Sequence, residues 1–178
     1  MDKHALRQII KERKKKFSVA ELIMQSMDIT LLLEKHHLYQ TARTLLLYNS
    51  MPDEVNTHGL IASLHKQGRC VLLPRMKNEE ELELVKYRGK LGLRISERYG
   101  ILEPDGEPFN DYESIDLAII PGMAFTPGGG RLGRGKGYYD RLLAKMPTVY
   151  KLGLCFPFQI FDSIPTDMND MPMDEVFY

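Results

Sequence analysis

The 178-residue sequence has no tryptophan, only two cysteines and no excess of either charge. Each scarcity excludes something. Cys70 and Cys155 sit in apolar runs with no CxxC partner or paired histidine, which argues against a disulfide scaffold or a zinc module and predicts two reduced core thiols. Lys and Arg number 24, and so do Asp and Glu. No overall field therefore draws the chain to nucleic acid or to an anionic membrane. The longest apolar runs are about five residues, far short of the roughly 20 that cross a bilayer. The first residues are charged from Asp2 onward and have no apolar stretch of the kind that directs secretion, so a cytoplasmic protein is expected. Repeats and long linkers are also missing, and one domain over residues 1–178 is expected. What remains is an ordinary globular composition, 43% hydrophobic and 27% charged, with enough chain for a sizeable core.

Read in order, residues 2–16 form a basic amphipathic helix, with Leu6, Ile9, Ile10 and Phe17 at helical spacing. Ser18 and Glu21 form a capping box that starts a second helix, ending near Lys35. Residues 44–48 are a short apolar run closed by Asn49-Ser50-Met51-Pro52, and read as a buried strand. Thr57 is placed to cap a helix carrying Leu60, Ile61 and Leu64 and ended by Gly68. Residues 70–74 and 116–121 are further strong strands. Two weaker ones are expected within residues 79–103, another at 152–156 and a last one in the tail at 175–178. Residues 122–136 read as a loop leading to a helix from Tyr138 to Lys145. Continuous apolar strands alternating with helices predict an α/β fold with a mostly parallel sheet covered on both faces. Ligands of such sheets bind at the carboxyl ends of the strands, so the loops after Tyr48, Pro74 and Pro121 are expected to share one rim.

The richest segment is Gly128-Gly129-Gly130-Arg131-Leu132-Gly133-Arg134-Gly135-Lys136-Gly137-Tyr138-Tyr139-Asp140. Glycines bring backbone N–H groups close to an anion, and Arg131, Arg134 and Lys136 add formal charge for phosphate oxygens. Residues 130–136 match G-x-x-x-x-G-K, but Gly137 stands where the phosphate loop of standard NTPases needs Ser or Thr to hold magnesium. The chemistry is phosphate binding without that NTPase architecture. Asp140 has two readings, a favourable charge at a helix start or a magnesium ligand. Lys3 and Arg7 share one face of the first helix, and Asp167, Asp170, Asp174 and Glu175 cluster in the tail. On residue type alone, both groups read as solvated charge. Glu54 lies on the predicted ligand rim.

With these segments placed, the chain resembles the 5-formyltetrahydrofolate cyclo-ligase family almost end to end. The resemblance rests on Lys3-x-x-Leu6-Arg7, Ser50-Met51-Pro52-Asp53-Glu54-Val55, Gly100-Ile101-Leu102-Glu103-Pro104, Pro121-Gly122-Met123-Ala124-Phe125, Arg131 through Arg141, and Asn169 through Val176. It implies a three-layer Rossmann-like fold and a conversion of 5-formyltetrahydrofolate to 5,10-methenyltetrahydrofolate that consumes ATP and needs Mg2+. It also implies roles for residues. Lys3, Arg7 and Arg131, Leu132, Gly133, Arg134, Gly135, Lys136, Gly137, Tyr138 and Tyr139 would contact ATP. Met51 and Glu54, helped by Arg134 through Tyr138, would contact the folate. Asp140 and Asp170 would hold magnesium, and Arg134 and Lys136 would carry catalysis. A monomer without nucleic-acid or membrane partners is expected. Thr126, Asn56 and the Gly128–Gly130 triplet depart from the family pattern, and residues 87–93 do not obviously match it. Two other readings are a nucleotide-binding or RNA-associated module and a kinase acting on another small molecule.

Overall fold

The structure is a computed structural model and describes residues 2–96 and 100–178. Residues 97–99, in the stretch expected to hold weaker strands, lie outside the described residues. Among the described residues five α-helices run α1 (Lys3–Lys14), α2 (Val19–Glu34), α3 (His37–Thr41), α4 (His58–Lys66) and α5 (Tyr138–Ala144). The strands are β1 (Thr44–Leu46), β2 (Cys70–Met76), β3 (Leu82–Lys86), β4 (Leu93–Ile95), β5 (Leu102–Pro104), β6 (Pro108–Phe109), β7 (Leu117–Ile120), β8 (Ala124–Phe125), β9 (Arg131–Leu132), β10 (Tyr150–Leu154) and β11 (Glu175–Phe177).

Seven strands form one sheet in the order β11-β10-β7-β1-β2-β3-β6. The first five are mutually parallel, and β3 and β6 add antiparallel at one edge. The expected mostly parallel α/β sheet is therefore present. The central strand shows why its sequence is apolar throughout. Leu45 and Leu47 pack on one face, with Ile29 and Leu33 of α2 and Leu60, Ile61 and Leu64 of α4. Leu46 points to the other face, with Leu142 and Leu143 of α5. All three leucines are fully buried because helices cover both faces. A third cluster joins Leu6 and Ile10 of α1 to Met123, Ala124 and Leu132, setting α1 across the loops that follow β7.

Local expectations hold at α2, where Ser18 Oγ accepts from the Glu21 N–H at 3.2 Å and Glu21 Oε2 accepts from the Ser18 N–H at 2.7 Å. They fail at Thr57, whose side chain does not cap α4. Its hydroxyl donates to the Tyr48 carbonyl at 2.5 Å, and its N–H donates to Ser50 Oγ at 3.1 Å. The helix start is served by Asn56, whose Oδ1 accepts from the His58 N–H at 2.9 Å. Thr57 instead ties the end of β1 to the start of α4 and fixes the shape of residues 49–56 between them.

Residues 122–136 are more ordered than a loop, since β8 and β9 form a hairpin inside them. The glycine triplet makes its turn, tied to Thr126 and to the tail. Thr126 Oγ1 accepts from the Gly130 N–H at 2.9 Å, and Gly129 exchanges with the tail by accepting from the Met173 N–H at 2.8 Å. Gly129 has φ +89°, and a Cβ there would fall 2.1 Å from the Met173 carbonyl oxygen.

Candidate active site

From β1 the chain moves outward to β2, and later returns to the opposite side of β1 as β7. The loops leaving β1 and β7 thus diverge, and a crevice opens where the strand order reverses. A cleft of about 410 Å³ occupies this position. Tyr48, Pro74 and Pro121 all line it, so the three loops share a rim as expected. Pro74, Met76, Leu82, Ile101 and Leu102 give it apolar lining, and Glu54, Arg134, Lys136 and Asp140 also line it.

Glu54 is held at both carboxylate oxygens. Oε2 accepts from the Met51 N–H at 3.0 Å, and Oε1 accepts from Arg134 Nη2 at 3.0 Å. The same Nη2 donates to Asp53 Oδ1 at 2.8 Å, and Lys14 Nζ lies 3.5 Å from the other Asp53 oxygen. Arg134 thus bridges the loop after β1 to the segment after β9. Burial first, then the Glu54 charge, pushes the Tyr48 and Tyr139 phenols up, so both stay protonated beside the cleft. A second cleft of about 490 Å³ lies against Arg134 and Asp53 and is lined by Lys11, Lys14, Lys15, Phe17 and Phe158.

Arg131 lines the cleft but is not an open cation. It is only 4% exposed. Its Nη1 donates to the Pro121 carbonyl at 3.2 Å and its Nη2 to Asp140 Oδ1 at 2.6 Å, while its buried Nε has no partner among the described residues. A guanidinium held this way braces the site from below. The Leu132 side chain is also withdrawn, packed with Leu6, Ile10 and Met123, leaving only its backbone for a ligand. Gly135 and Gly137 take left-handed conformations, φ +106° and +66°, but Gly133 does not. The need for glycine at Gly133 is therefore one of space, since a Cβ would come within 3.3 Å of Arg131 Nη1. At the far end, Arg141 donates to the Lys136 carbonyl at 2.8 Å, and the Tyr138 hydroxyl to the Glu79 carbonyl at 2.9 Å.

The helix and the tail close the arrangement. Arg7 Nε donates to the Gly133 carbonyl at 2.9 Å, bringing α1 onto the glycine segment. Lys3 Nζ reaches Asp170 Oδ2 at 2.5 Å and Asp167 Oδ2 at 2.6 Å. The tail carboxylates are thus not simply solvated. Asp174 pairs with the buried Lys151 at 3.1 Å, and Glu175 lies 3.2 Å from His36 Nε2. Burial alone would raise the Asp170 carboxyl, but the Lys3 ammonium and the Asp167 N–H hold it below its ordinary value.

Asp140 and Asp170 come into the same neighbourhood despite their separation in sequence, because Asp140 Oδ1 also accepts from the Met171 N–H at 3.1 Å. The hydrogen bonds described at each carboxylate fall on one oxygen, Oδ1 of Asp140 and Oδ2 of Asp170. Among the described residues, no group of three or more His, Cys, Asp or Glu is placed to hold a metal. Two carboxylates, each with one oxygen outside these hydrogen bonds, are the kind of donor that magnesium takes alongside phosphate oxygens and water. Sequence reasoning gave Thr57 only a capping role and gave Asp53 and Lys14 no role at the site. Asp53, adjacent to Glu54, was the one with a visible signal.

A family model described as the 5-formyltetrahydrofolate cyclo-ligase family matches residues 1–178. The chain belongs to the 5-formyltetrahydrofolate cyclo-ligase family. Among its relatives, a Mus musculus protein named 5-formyltetrahydrofolate cyclo-ligase is 33% identical over 99% of this chain and 93% of its own length. An Escherichia coli K12 cyclo-ligase is 30% identical over 76% of this chain and 77% of its own. The NMR structure of Aquifex aeolicus 5,10-methenyltetrahydrofolate synthetase superimposes with a TM-score of 0.87 at 31% identity, covering 99% of this chain and 89% of that one. A Mycoplasma pneumoniae synthetase structure, at 24% identity and a TM-score of 0.78, shares the fold. In this cyclo-ligase family member, the segments expected to act together are spread over residues 3–7, 51–54, 131–140 and 167–174, and the tertiary structure gathers them at one end of the sheet.

Proposed function

We propose that the protein converts 5-formyltetrahydrofolate to 5,10-methenyltetrahydrofolate, consuming ATP and releasing ADP and phosphate. The observation that carries this reading is Arg134. It bridges to the Glu54 carboxylate on one side of the cleft and belongs, on the other, to the glycine segment with Lys136. A group that must meet both a pterin and a phosphoryl group belongs at that junction.

A formamide carbonyl is a weak electrophile, and oxide is a poor leaving group. Transfer of the γ-phosphoryl of ATP to the formyl oxygen breaks the terminal P–O bond, releases ADP and leaves an imidate-like phosphate. N10 then attacks the formyl carbon, its proton is lost, and phosphate departs with the former formyl oxygen. The protein aligns the partners and stabilises the moving charge. Glu54, fixed by the Met51 N–H, presents a carboxylate suited to adjacent N–H donors of a pterin. Arg134 and Lys136 place cations at the phosphoryl oxygens. Gly135 and Gly137 keep the backbone open to the phosphates, with Arg7 and Lys3 approaching from α1. Magnesium, when bound through Asp140 and Asp170, would neutralise phosphate charge. Arg131 holds Asp140 from behind and, through Asp140, the tail at Met171. The chemistry needs no protein nucleophile, and Cys155 is unsuited to be one, since burial pushes its thiol up.

Incubating the protein with MgATP and 5-formyltetrahydrofolate tests the proposal through the absorbance of the methenyl product. The chromophore is expected to appear with ADP in equal amount and to vanish when magnesium is chelated. ADP formation without the chromophore would indicate a kinase or an uncoupled ATPase.

A further inference from the structure

The proposed reaction leaves the second cleft unused. It holds about 490 Å³, room for a small-molecule ligand, and among its lining residues only Gly122 and Arg134 also line the first. Part of the lining is aromatic. Phe17 stacks on Phe158 with centroids 4.9 Å apart, and Phe158 stacks on the fully buried Phe156 at 5.4 Å, so these rings are anchored in the core. Another part is cationic. Lys11, Lys14 and Lys15 stand at positions i, i+3 and i+4 on one face at the end of α1, and Arg134 joins them. Asp53 is the one carboxylate among the described lining residues, and it answers both Arg134 and Lys14. Lys15 turns to Glu12 at 2.7 Å, and Lys11 has no ion pair among the described residues. Lysines on a helix face are commonly just solvated, but the Lys14 side chain is only 29% exposed. Burial first, then the Arg134 charge, hold its ammonium below the ordinary value, and Glu54 offsets this only in part. Two cations thus crowd one carboxylate beside an aromatic surface.

We propose that this cleft is a regulatory site for a phosphate monoester carried on a flat aromatic ring, the class to which nucleoside monophosphates belong, and that its occupant draws Arg134 away from Glu54. The ring lies against Phe17 and Phe158. The phosphate takes Lys11 and Lys14 and competes with Asp53 for the Arg134 fork. A phosphate suits the cleft better than a carboxylate because it offers three terminal oxygens to three cations. Arg134 gives the site its consequence. Its Nη2 spans Asp53 at 2.8 Å and Glu54 at 3.0 Å. Pulling it toward the second cleft frees the Glu54 carboxylate and takes a cation from the phosphoryl oxygens, which couples the two clefts through one side chain. The effect on turnover rests on the proposed reaction, whereas the binding does not.

Calorimetry with 1-naphthyl phosphate tests the binding, with MgATP at saturation so that the probe cannot report the nucleotide's own site. The wild-type chain is expected to bind one equivalent with a Kd below about 1 mM. Lys11→Gln, at a residue that lines only the second cleft, is expected to weaken the probe about 10-fold, the scale of one charge-assisted hydrogen bond. Phe17→Leu is expected to weaken it by a smaller factor, and 1-naphthoate, the same ring with a carboxylate, to bind less tightly than the phosphate. In the cyclisation assay the probe is expected to lower kcat while KM for ATP stays unchanged. Lys11→Gln is expected to keep the wild-type rate without the probe and to need about 10-fold more of it for the same inhibition. A probe that competes with ATP would overturn the proposal. So would an affinity indifferent to both Lys11→Gln and Phe17→Leu, equal binding of 1-naphthoate, or binding that leaves kcat unchanged. Failure of the reaction itself reads differently. A chain that makes no methenyl product but binds the probe with this pattern of variants loses the proposed function and keeps the site.

Discussion

At the scale of single residues, Arg134 and Glu54 share one ion pair but should fail in different ways. Arg134 has a half-exposed side chain bonded to two carboxylates. Removing it costs little packing but deletes the cation that the proposed function sets at the phosphoryl oxygens. Arg134→Ala is expected to lower turnover about 10²-fold with a melting temperature close to wild type, and Arg134→Lys to fall between them because it keeps the charge and loses the fork. Steady-state kinetics with thermal denaturation decide this, and near-normal turnover in Arg134→Ala would remove the segment from the chemistry. Glu54→Gln keeps an oxygen for the Met51 N–H but gives up the charge. Calorimetry is expected to show folate affinity down by about 10-fold or more, the scale of a charged hydrogen bond, with ATP affinity nearly unchanged. Equal losses for both ligands would make Glu54 a structural residue. The motifs that carry these two positions were legible because they are local. The inward placement of Arg131 was not legible, for the opposite reason. Nothing in a run of glycines and cations says that one arginine points inward to an aspartate nine residues away.

At the scale of elements, the strong strands were legible because a strand covered on both faces must be apolar along its length, as residues 45–48 and 117–121 are. The β8–β9 hairpin was not, since its strands are two residues each and its glycine turn looks like part of the phosphate segment. The tail was misjudged because the partners of its carboxylates, Lys3 among them, lie far away in sequence. These contacts make a prediction about tail docking. Gly129→Ala adds a Cβ at φ +89° into the Met173 carbonyl, whereas at Gly128 the nearest atom is 3.9 Å away. Gly129→Ala is expected to cost about 2 kcal/mol or more and to speed proteolysis of residues 170–174, while Gly128→Ala stays near neutral. Equal stability of the two variants would mean that the turn does not clamp the tail. The Lys3–Asp170 latch adds a pH dependence. A carboxyl held below its ordinary value of 3.8 contributes stability above that value and loses it as pH falls through the folded value. The stability gap between wild type and Asp170→Asn is thus expected to be constant above about pH 5 and to close in the acid arm below 3.8. A gap that persists at low pH would assign the effect to packing.

At the scale of the whole molecule, α1 is at once a piece of the core and a wall of the site, and the two duties lie on adjacent residues. Leu6 is fully buried against Met123 and Leu132, and Arg7 donates to the Gly133 carbonyl. Deleting the first eight residues would confuse the two, because it opens the cluster under the hairpin as well as removing the cation. Point substitutions separate them. Leu6→Ala leaves a cavity and is expected to cost about 2–5 kcal/mol, with KM for ATP changing little in the folded fraction. Arg7→Gln loses one hydrogen bond, about 1 kcal/mol of stability, but removes positive charge from the side on which ATP is proposed to bind. It is expected to raise KM for ATP about tenfold and KM for folate far less. Ligand linkage gives the sharper readout, since a ligand that binds only the folded chain raises stability by RT ln(1 + [L]/Kd). MgATP should therefore raise the melting temperature of wild type and of Leu6→Ala by similar amounts, from different starting points, and raise that of Arg7→Gln much less. If Arg7→Gln kept the full shift and Leu6→Ala lost it, α1 would serve the nucleotide only by propping the hairpin. The carboxyl-end rim would then have to bind ATP without direct help from the first helix.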